Sequence, residues 1–206
     1  MSYTAGSDES PSSLLVQARA GDAAARGQLL DLYRNYLRLQ ALALIGTGLR
    51  VRLDPSDLVQ ETFLDAHRDF PSFAGHTEGE IVAWLRRILV RNLADQLKRH
   101  RAGGRDYRRQ ESLEAKLDRS SLDIQEALQA GLSTPSGRAA EREQSVVLAD
   151  ALAALPADYR EVIVLRHLER LKFDEIAARM GRSSGAVRML WTRALEKLHV
   201  LLEDRS

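Results

Sequence analysis

The sequence predicts an all-α protein: two helical domains joined by a flexible linker, the C-terminal domain carrying a helix-turn-helix. Three observations predict it. Apolar residues recur at three- and four-residue spacing through most of the chain, and no alternating run reads as a strand. Residues 102–137 break that periodicity, because AGGRDYRRQ and GLSTPSGR flank only a weakly helical piece, Leu113–Leu128, rich in Ser, Gln and charge. Finally, Ala177, Gly181 and Val187 have the spacing of a helix-turn-helix: a small residue for close approach, a glycine turn and a branched apolar lock.

Composition narrows the function classes. The 206 residues fit one or two domains, 44% are apolar, and no run approaches the roughly 18 apolar residues that span a bilayer. The polar, acidic start, MSYTAGSDESPSS, is neither a signal nor a transit peptide, so residues 1–13 are expected to be a disordered tail. The absence of cysteine excludes disulfides, thiolate zinc sites and thiol catalysis, and fits a cytoplasmic location. Five scattered histidines offer no nucleophile–base or metal spacing, so no enzyme, catalytic residue, cofactor or metal is expected. Thirty basic residues against twenty-nine acidic ones make no polycation. Nucleic-acid affinity must therefore come from local stripes, and free DNA should bind weakly.

Residues 14–101 form the first predicted domain. Leu14 to about Ile45 is helical, broken near Gly21-Asp22, with Asp22 able to cap the second piece and Gly46-Thr-Gly48 ending it. That Gly-x-Gly follows a helix and precedes no lysine, so it is not a phosphate loop. Asp54-Pro55 starts the next helix, a capping carboxylate followed by proline at the first helical position. Val59, Thr62, Phe63, Ala66 and Phe70 lie on one arc; Asp57, Gln60, Glu61, Leu64 and Arg68 lie opposite, as a solvated face. FPSFAGHTEGE is a loop, and Thr77 with Glu80 forms a capping box for a helix over about Glu78–Arg101. That helix should bury Ile81, Leu85, Ile88, Leu89 and Leu93, with Trp84 at the margin. Its other side carries Arg87, Arg91, Lys98 and Arg101, a basic stripe without carboxylates that suits a phosphate track. Asn92, Asp95 and Arg99 lie towards the apolar side, with Asp95 and Arg99 at pairing distance.

The second domain, residues 138–206, follows the linker 102–137. Val147, Leu148, Leu152 and Leu155 share one helix face up to Pro156; a helix over about Asp158–Leu168 carries Val162, Ile163, Leu165 and Leu168. A third helix, about Phe173–Met180, ends at Gly181, and Ser183 or Ser184 caps a fourth. On that last helix Val187, Trp191, Ala194, Leu195 and Leu198 make one apolar stripe, and Arg188, Thr192, Arg193 and Lys197 fall largely outside it.

The order of these elements resembles the sigma factors of bacterial RNA polymerase, in their two-domain extracytoplasmic-function (ECF) class of the sigma-70 family. The resemblance covers nearly the whole chain. It rests on Asp57-Leu-Val-Gln-Glu-Thr-Phe63, on Trp84-Leu-x-x-Ile88 with Asn92, Asp95 and Arg99, and on Leu155-Pro156 with Arg160-Glu-Val162. Glu175-Ile-Ala177, Gly185-Ala-Val187-Arg188 and Arg193-Ala-Leu complete it.

The resemblance implies a protein that confers promoter specificity on polymerase and promotes DNA opening. Residues 14–101 would be the region 2-like domain and residues 138–206 the region 4-like domain. Asp57, Gln60 and Glu61 would dock on the clamp coiled coil of the largest polymerase subunit. Phe73, Gly75 and His76, with Arg87, Arg91, Asn92 and Lys98, would capture and melt the minus-ten element, which needs a pocket for a flipped base and a basic track for the single strand. Ser183, Ser184, Arg188, Thr192 and Arg193 would read the minus-thirty-five element. Partners would be the core enzyme, promoter DNA and an anti-sigma factor. In Val187-Arg-Met-Leu-Trp191, Met189 and Leu190 stand where the family commonly has small polar or basic residues. The competing reading is a stand-alone helix-turn-helix regulator with a helical sensor domain. Such a protein would need neither the acidic DLVQETF face nor the second basic stripe, and would need a dimer interface for two half-sites.

Overall fold

The computed structural model describes residues 10–49, 53–100 and 138–204, all of them helix or short connection. The first helix, α1 (Pro11–Arg19), begins earlier than its apolar pattern suggests. The Ser10 hydroxyl accepts from the Ser13 N–H at 3.3 Å, and Pro11 occupies the first turn, where its missing N–H costs nothing. Residues 11–13 are therefore helix rather than tail. Gly21, at φ 101°, reverses the chain, and the Asp22 carboxylate caps α2 (Ala23–Leu32) by accepting from Ala24 and Ala25 at 2.8 and 3.0 Å. A one-residue break at Tyr33 leads into α3 (Arg34–Leu49). This helix continues through Gly46 and Gly48, where the sequence suggested an end. Two glycines cost about 1 kcal/mol each against alanine. Buried Leu37, Ala41, Leu44 and Ile45 on the same helix outweigh that, at roughly 1.5–3 kcal/mol for each large side chain.

Asp54 caps α4 (Pro55–Asp69) by accepting from the Ser56 N–H at 2.7 Å. Leu58, Val59, Thr62, Phe63 and Ala66 are its buried arc, and the Thr62 hydroxyl donates to the Leu58 carbonyl at 2.8 Å, so its polar atom is satisfied inside the core. A 3₁₀ turn, Phe70–Ser72, leads to the loop before α5 (Glu78–His100). The expected apolar positions of α5 are all buried, joined by Val82, Val90 and Leu97, so most of the helix circumference is enclosed by α1, α3 and α4.

Beyond residue 137 come α6 (Arg138–Ala154), α7 (Ala157–Ile163), α8 (Phe173–Met180) and α9 (Ser184–Glu203). The helix predicted as one piece to Leu168 is interrupted: Val164–Leu168 winds as a π turn, with the Glu169 N–H donating to the Val164 carbonyl five residues back at 3.1 Å. Arg170 then takes φ 56°, a left-handed conformation uncommon for a non-glycine residue. Helix α9 packs on α6, α7 and α8 around Val187, Ala194 and Leu198. Helix α6 also lies against α3 and α5, where the Asn35 side-chain amide donates to the Asp150 carboxylate at 2.8 Å. The expected linker, with its weak helix Leu113–Leu128, lies outside the described residues. No described helix is long and apolar enough to cross a membrane.

Candidate nucleic-acid interface

The turn between α8 and α9 is built as its sequence requires. Gly181 adopts φ 63°, and the Arg182 N–H donates to the Ala177 carbonyl at 3.0 Å, closing α8. Ser183, not Ser184, caps α9, accepting from the Ala186 N–H at 3.2 Å. Val187 is fully buried against the first helix of the motif. Trp191 is half-buried: its indole N–H donates to His167 Nε2 at 3.1 Å, and its ring meets Phe173 edge-on at 5.7 Å. The tryptophan thus ties α9 to the π turn and to α8.

The polar candidates on α9 are more committed than their spacing suggests. Ser184 donates to the Asp174 carboxylate, and the Thr192 hydroxyl donates to the Arg188 carbonyl one turn back at 3.1 Å. The Arg188 guanidinium lies over the Phe173 ring at 5.4 Å, and Arg166 lies over the same ring at 4.8 Å. Arg193 is exposed, as is Met189 at 56%.

In the first domain, the loop after α4 is a compact aromatic arch. Phe73 packs on Trp84 with ring centroids 4.9 Å apart, and both rings reach Phe70, at 5.8 and 6.0 Å. Gly75 makes room for this: a Cβ there would fall 2.3 Å from Phe73 Cζ. The capping box forms as expected. Glu80 Oε2 accepts from the His76 and Thr77 N–H groups at 2.9 and 3.0 Å and from the Thr77 hydroxyl at 2.9 Å. Those bonds hold the Glu80 carboxyl below the usual range, the His76 N–H contributing most. From α1, Arg19 donates to the Gly75 carbonyl at 3.1 Å and meets the His76 imidazole. The expected candidates Phe73, Gly75 and His76 therefore share one loop, which Arg19 clamps. Sequence spacing did not indicate Arg19, which lies 56 residues away.

The basic stripe on α5 is not free of acid. Asp65 and Asp69 on α4 reach Arg91 at 3.1 and 3.6 Å, so one cation of the expected track is already paired. Arg68 donates to Asp69, which holds that carboxyl below its ordinary range. Arg87 is exposed; the Lys98 side chain and Arg101 lie outside the described residues. Asn92 is only 4% exposed, its Nδ2 buried, so it belongs to the core rather than to a DNA-facing surface. Arg99 does not take the Asp95 carboxylate: its Nε donates to the Asp95 carbonyl at 3.4 Å and its Nη2 pairs with Glu61 at 3.0 Å. Glu61 also accepts from Gln96 Nε2 at 2.6 Å. Within the predicted docking arc, Asp57, Gln60 and Leu64 are exposed, while Glu61 is half-buried and engaged by α5. Among the described residues, no group of three or more histidine or carboxylate side chains could hold a metal ion.

Residues 145–198, covering α7 to most of α9 and the end of α6, match the family model "Sigma-70, region 4". Over 185 residues the chain is 32% identical to the ECF RNA polymerase sigma factor SigD of Mycobacterium tuberculosis, covering 90% of this chain and 80% of that protein. The chain belongs to the ECF RNA polymerase sigma factors. This sigma factor is also 31% identical over 185 residues to the ECF RNA polymerase sigma-E factor of Haemophilus influenzae, covering 90% of this chain and 91% of the relative. Among solved structures it is similar to CnrH in complex with the cytosolic domain of CnrY, at 25% identity, 96% coverage of this chain, 100% of that one and a TM-score of 0.36. A sigma factor directs promoter-specific transcription initiation, and the stand-alone regulator is the less favoured reading. For this sigma factor the matched region contains the Gly181 turn and the whole exposed face of α9 as far as Leu198.

Proposed function

We propose that this sigma factor divides its task among three surfaces and performs no chemistry of its own. The exposed arc of α4, centred on Asp57, Gln60 and Leu64, docks on the clamp coiled coil of the largest subunit of core polymerase. Leu64, 65% exposed between polar neighbours, supplies the apolar contact, and Glu61 contributes from a position set by Arg99 and Gln96. The Phe73–Thr77 loop and exposed Arg87 capture and open the minus-ten element, with Arg91 joining when DNA phosphate displaces Asp65 and Asp69. Helix α9 enters the major groove at the minus-thirty-five element, its outer side carrying Arg188 and Arg193. A cytoplasmic location follows from the polymerase partner.

The observation that carries this reading is the Asp57–Gln60–Leu64 arc. It is exposed on a helix whose other side is core, and a DNA-reading domain has no use for an acidic, apolar face. Co-purification with core polymerase tests it. Asp57→Lys should abolish capture of polymerase while the circular dichroism melt stays that of the wild type, since Asp57 is exposed on the first turn of α4. Undiminished capture by Asp57→Lys together with Leu64→Ala would remove the docking assignment.

A further inference from the structure

The side chains of α9 that look equipped to read bases are largely occupied within the protein. The Ser183 hydroxyl caps the helix, Ser184 donates to Asp174, and the Thr192 hydroxyl donates to the Arg188 carbonyl. Arg188 itself is held back over Phe173. At the centre of the outward side of the first two turns of α9, between Arg188 and Arg193, the exposed residue is apolar. At about 100° of turn per residue, Met189 lies roughly 170° from the centre of the side formed by Val187, Trp191, Ala194 and Leu198. It is 56% exposed, at the middle of the face furthest from the core. Gly185 and Ala186, one turn before it, are also exposed, so the start of α9 presents almost no bulk beside it. A recognition helix reads base edges with its N-terminal residues, and small side chains there let its backbone come close to the groove floor.

We infer that Met189 is a specificity-determining residue of this sigma factor and that it reads the C5-methyl group of thymine in the upstream promoter element. This rests on the proposed seating of α9 in the major groove. A thioether on a flexible apolar stem offers no strong donor or acceptor. Of the groups that B-form DNA displays in the major groove, only the thymine methyl is apolar. Opposite a cytosine amino group or a guanine O6, the same side chain would strip water from a polar edge and replace it with nothing. Discrimination therefore arises from a favourable methyl contact at one base pair and a desolvation cost at the alternatives. Arg193, one turn further on and exposed, is positioned for phosphate rather than for that base.

The test uses the holoenzyme reconstituted from full-length chain and core polymerase. The upstream element is first defined by transcription from templates randomised in that region; each thymidine in it is then replaced by deoxyuridine, which removes only the methyl group. With the wild type, one position or two adjacent ones should lose about fourfold in transcript, the factor that follows from burying one methyl group. Met189→Ala should erase that difference, bringing thymidine templates down to the deoxyuridine level, and Met189→Leu should retain it. Exposed Met189 leaves the fold unaffected by either change, which a thermal melt verifies. Deoxyuridine tolerated at every position, sensitivity undiminished in Met189→Ala, or an element without thymine would each overturn the assignment. If randomising the upstream region leaves transcription unchanged, the groove-reading role of α9 itself fails. That result differs from an upstream-dependent holoenzyme that ignores the methyl.

Discussion

At the scale of single residues, close packing and paired charge decide which side chains are available. Gly75 is fixed by the Phe73 ring, which leaves 2.3 Å where a Cβ would stand. Gly75→Ala must push Phe73 off Trp84, and forced repacking of this kind costs typically 1–3 kcal/mol. A denaturant melt should show that loss, and the variant should open promoters more slowly without losing affinity for polymerase. Arg87 and Arg91 provide a matched pair. Arg87 is exposed, whereas Arg91 shares Asp65 and Asp69. Arg87→Ala should lower the salt slope of promoter binding by about 1, as the loss of one phosphate contact does. Arg91→Ala should change the slope less, because two aspartates compete for its charge. Equal slopes for the two variants would restore the uninterrupted track. The difference between these arginines was not legible in the sequence. Arg91 and Asp65 are 26 residues apart, and only the packing of α5 on α4 brings them together. Asn92 was ambiguous for the same reason: its periodicity placed it near the apolar side, but only the surrounding helices show that it is enclosed.

At the scale of elements, local signals were legible and irregular ones were not. The Asp22 and Asp54 caps, the Thr77–Glu80 box, the Gly181 turn and the Ser183 cap each depend on residues within a few positions of one another, and each forms. The end of α3 was misplaced because glycine propensity is weaker than the burial of the helix that carries it. The π turn at Val164–Leu168 has no sequence signature, since it follows from the way Arg166 bonds the Leu171 carbonyl at 2.9 Å and His167 meets Trp191. The loop before α5 gives a pH prediction. The Glu80 carboxyl is held below its unfolded value by the His76 and Thr77 donors, so its contribution is present above the ordinary glutamate range. It is lost as pH falls through the lowered value. Amide exchange at His76 and Thr77 should therefore accelerate on acidification below that range, and Glu80→Gln should exchange rapidly at neutral pH already. An exchange rate independent of pH in the wild type, after correction for intrinsic exchange, would remove Glu80 as the clasp.

At the scale of the whole molecule, the proposed function has two surfaces serve elements whose names place them about 25 base pairs apart, roughly 85 Å of B-form duplex at 3.4 Å per step. A packed body of two hundred residues is only about 40 Å across. If both surfaces engage one promoter at once, the contact of α6 with α3 and α5, including the Asn35–Asp150 bond, has to open. Because the chain has no cysteine, Asn35→Cys with Asp150→Cys creates a unique pair for a short bismaleimide. Bridging it should abolish transcription from promoters that need both elements, while the unbridged double variant remains active. Full activity of the bridged protein would mean that the two surfaces act without separating. The fold class and the family pattern were legible in the order of the elements; this contact was not, because its partners are 115 residues apart. As a sigma factor, this chain gives polymerase its choice of start site. The direct measurement is transcription in vitro of genomic DNA by purified core polymerase with and without the chain, with the 5′ ends of the transcripts sequenced. New, discrete starts should appear that are absent with core alone, each preceded by the same pair of elements at fixed spacing; a set of starts identical to that of core alone would contradict a promoter-choosing role.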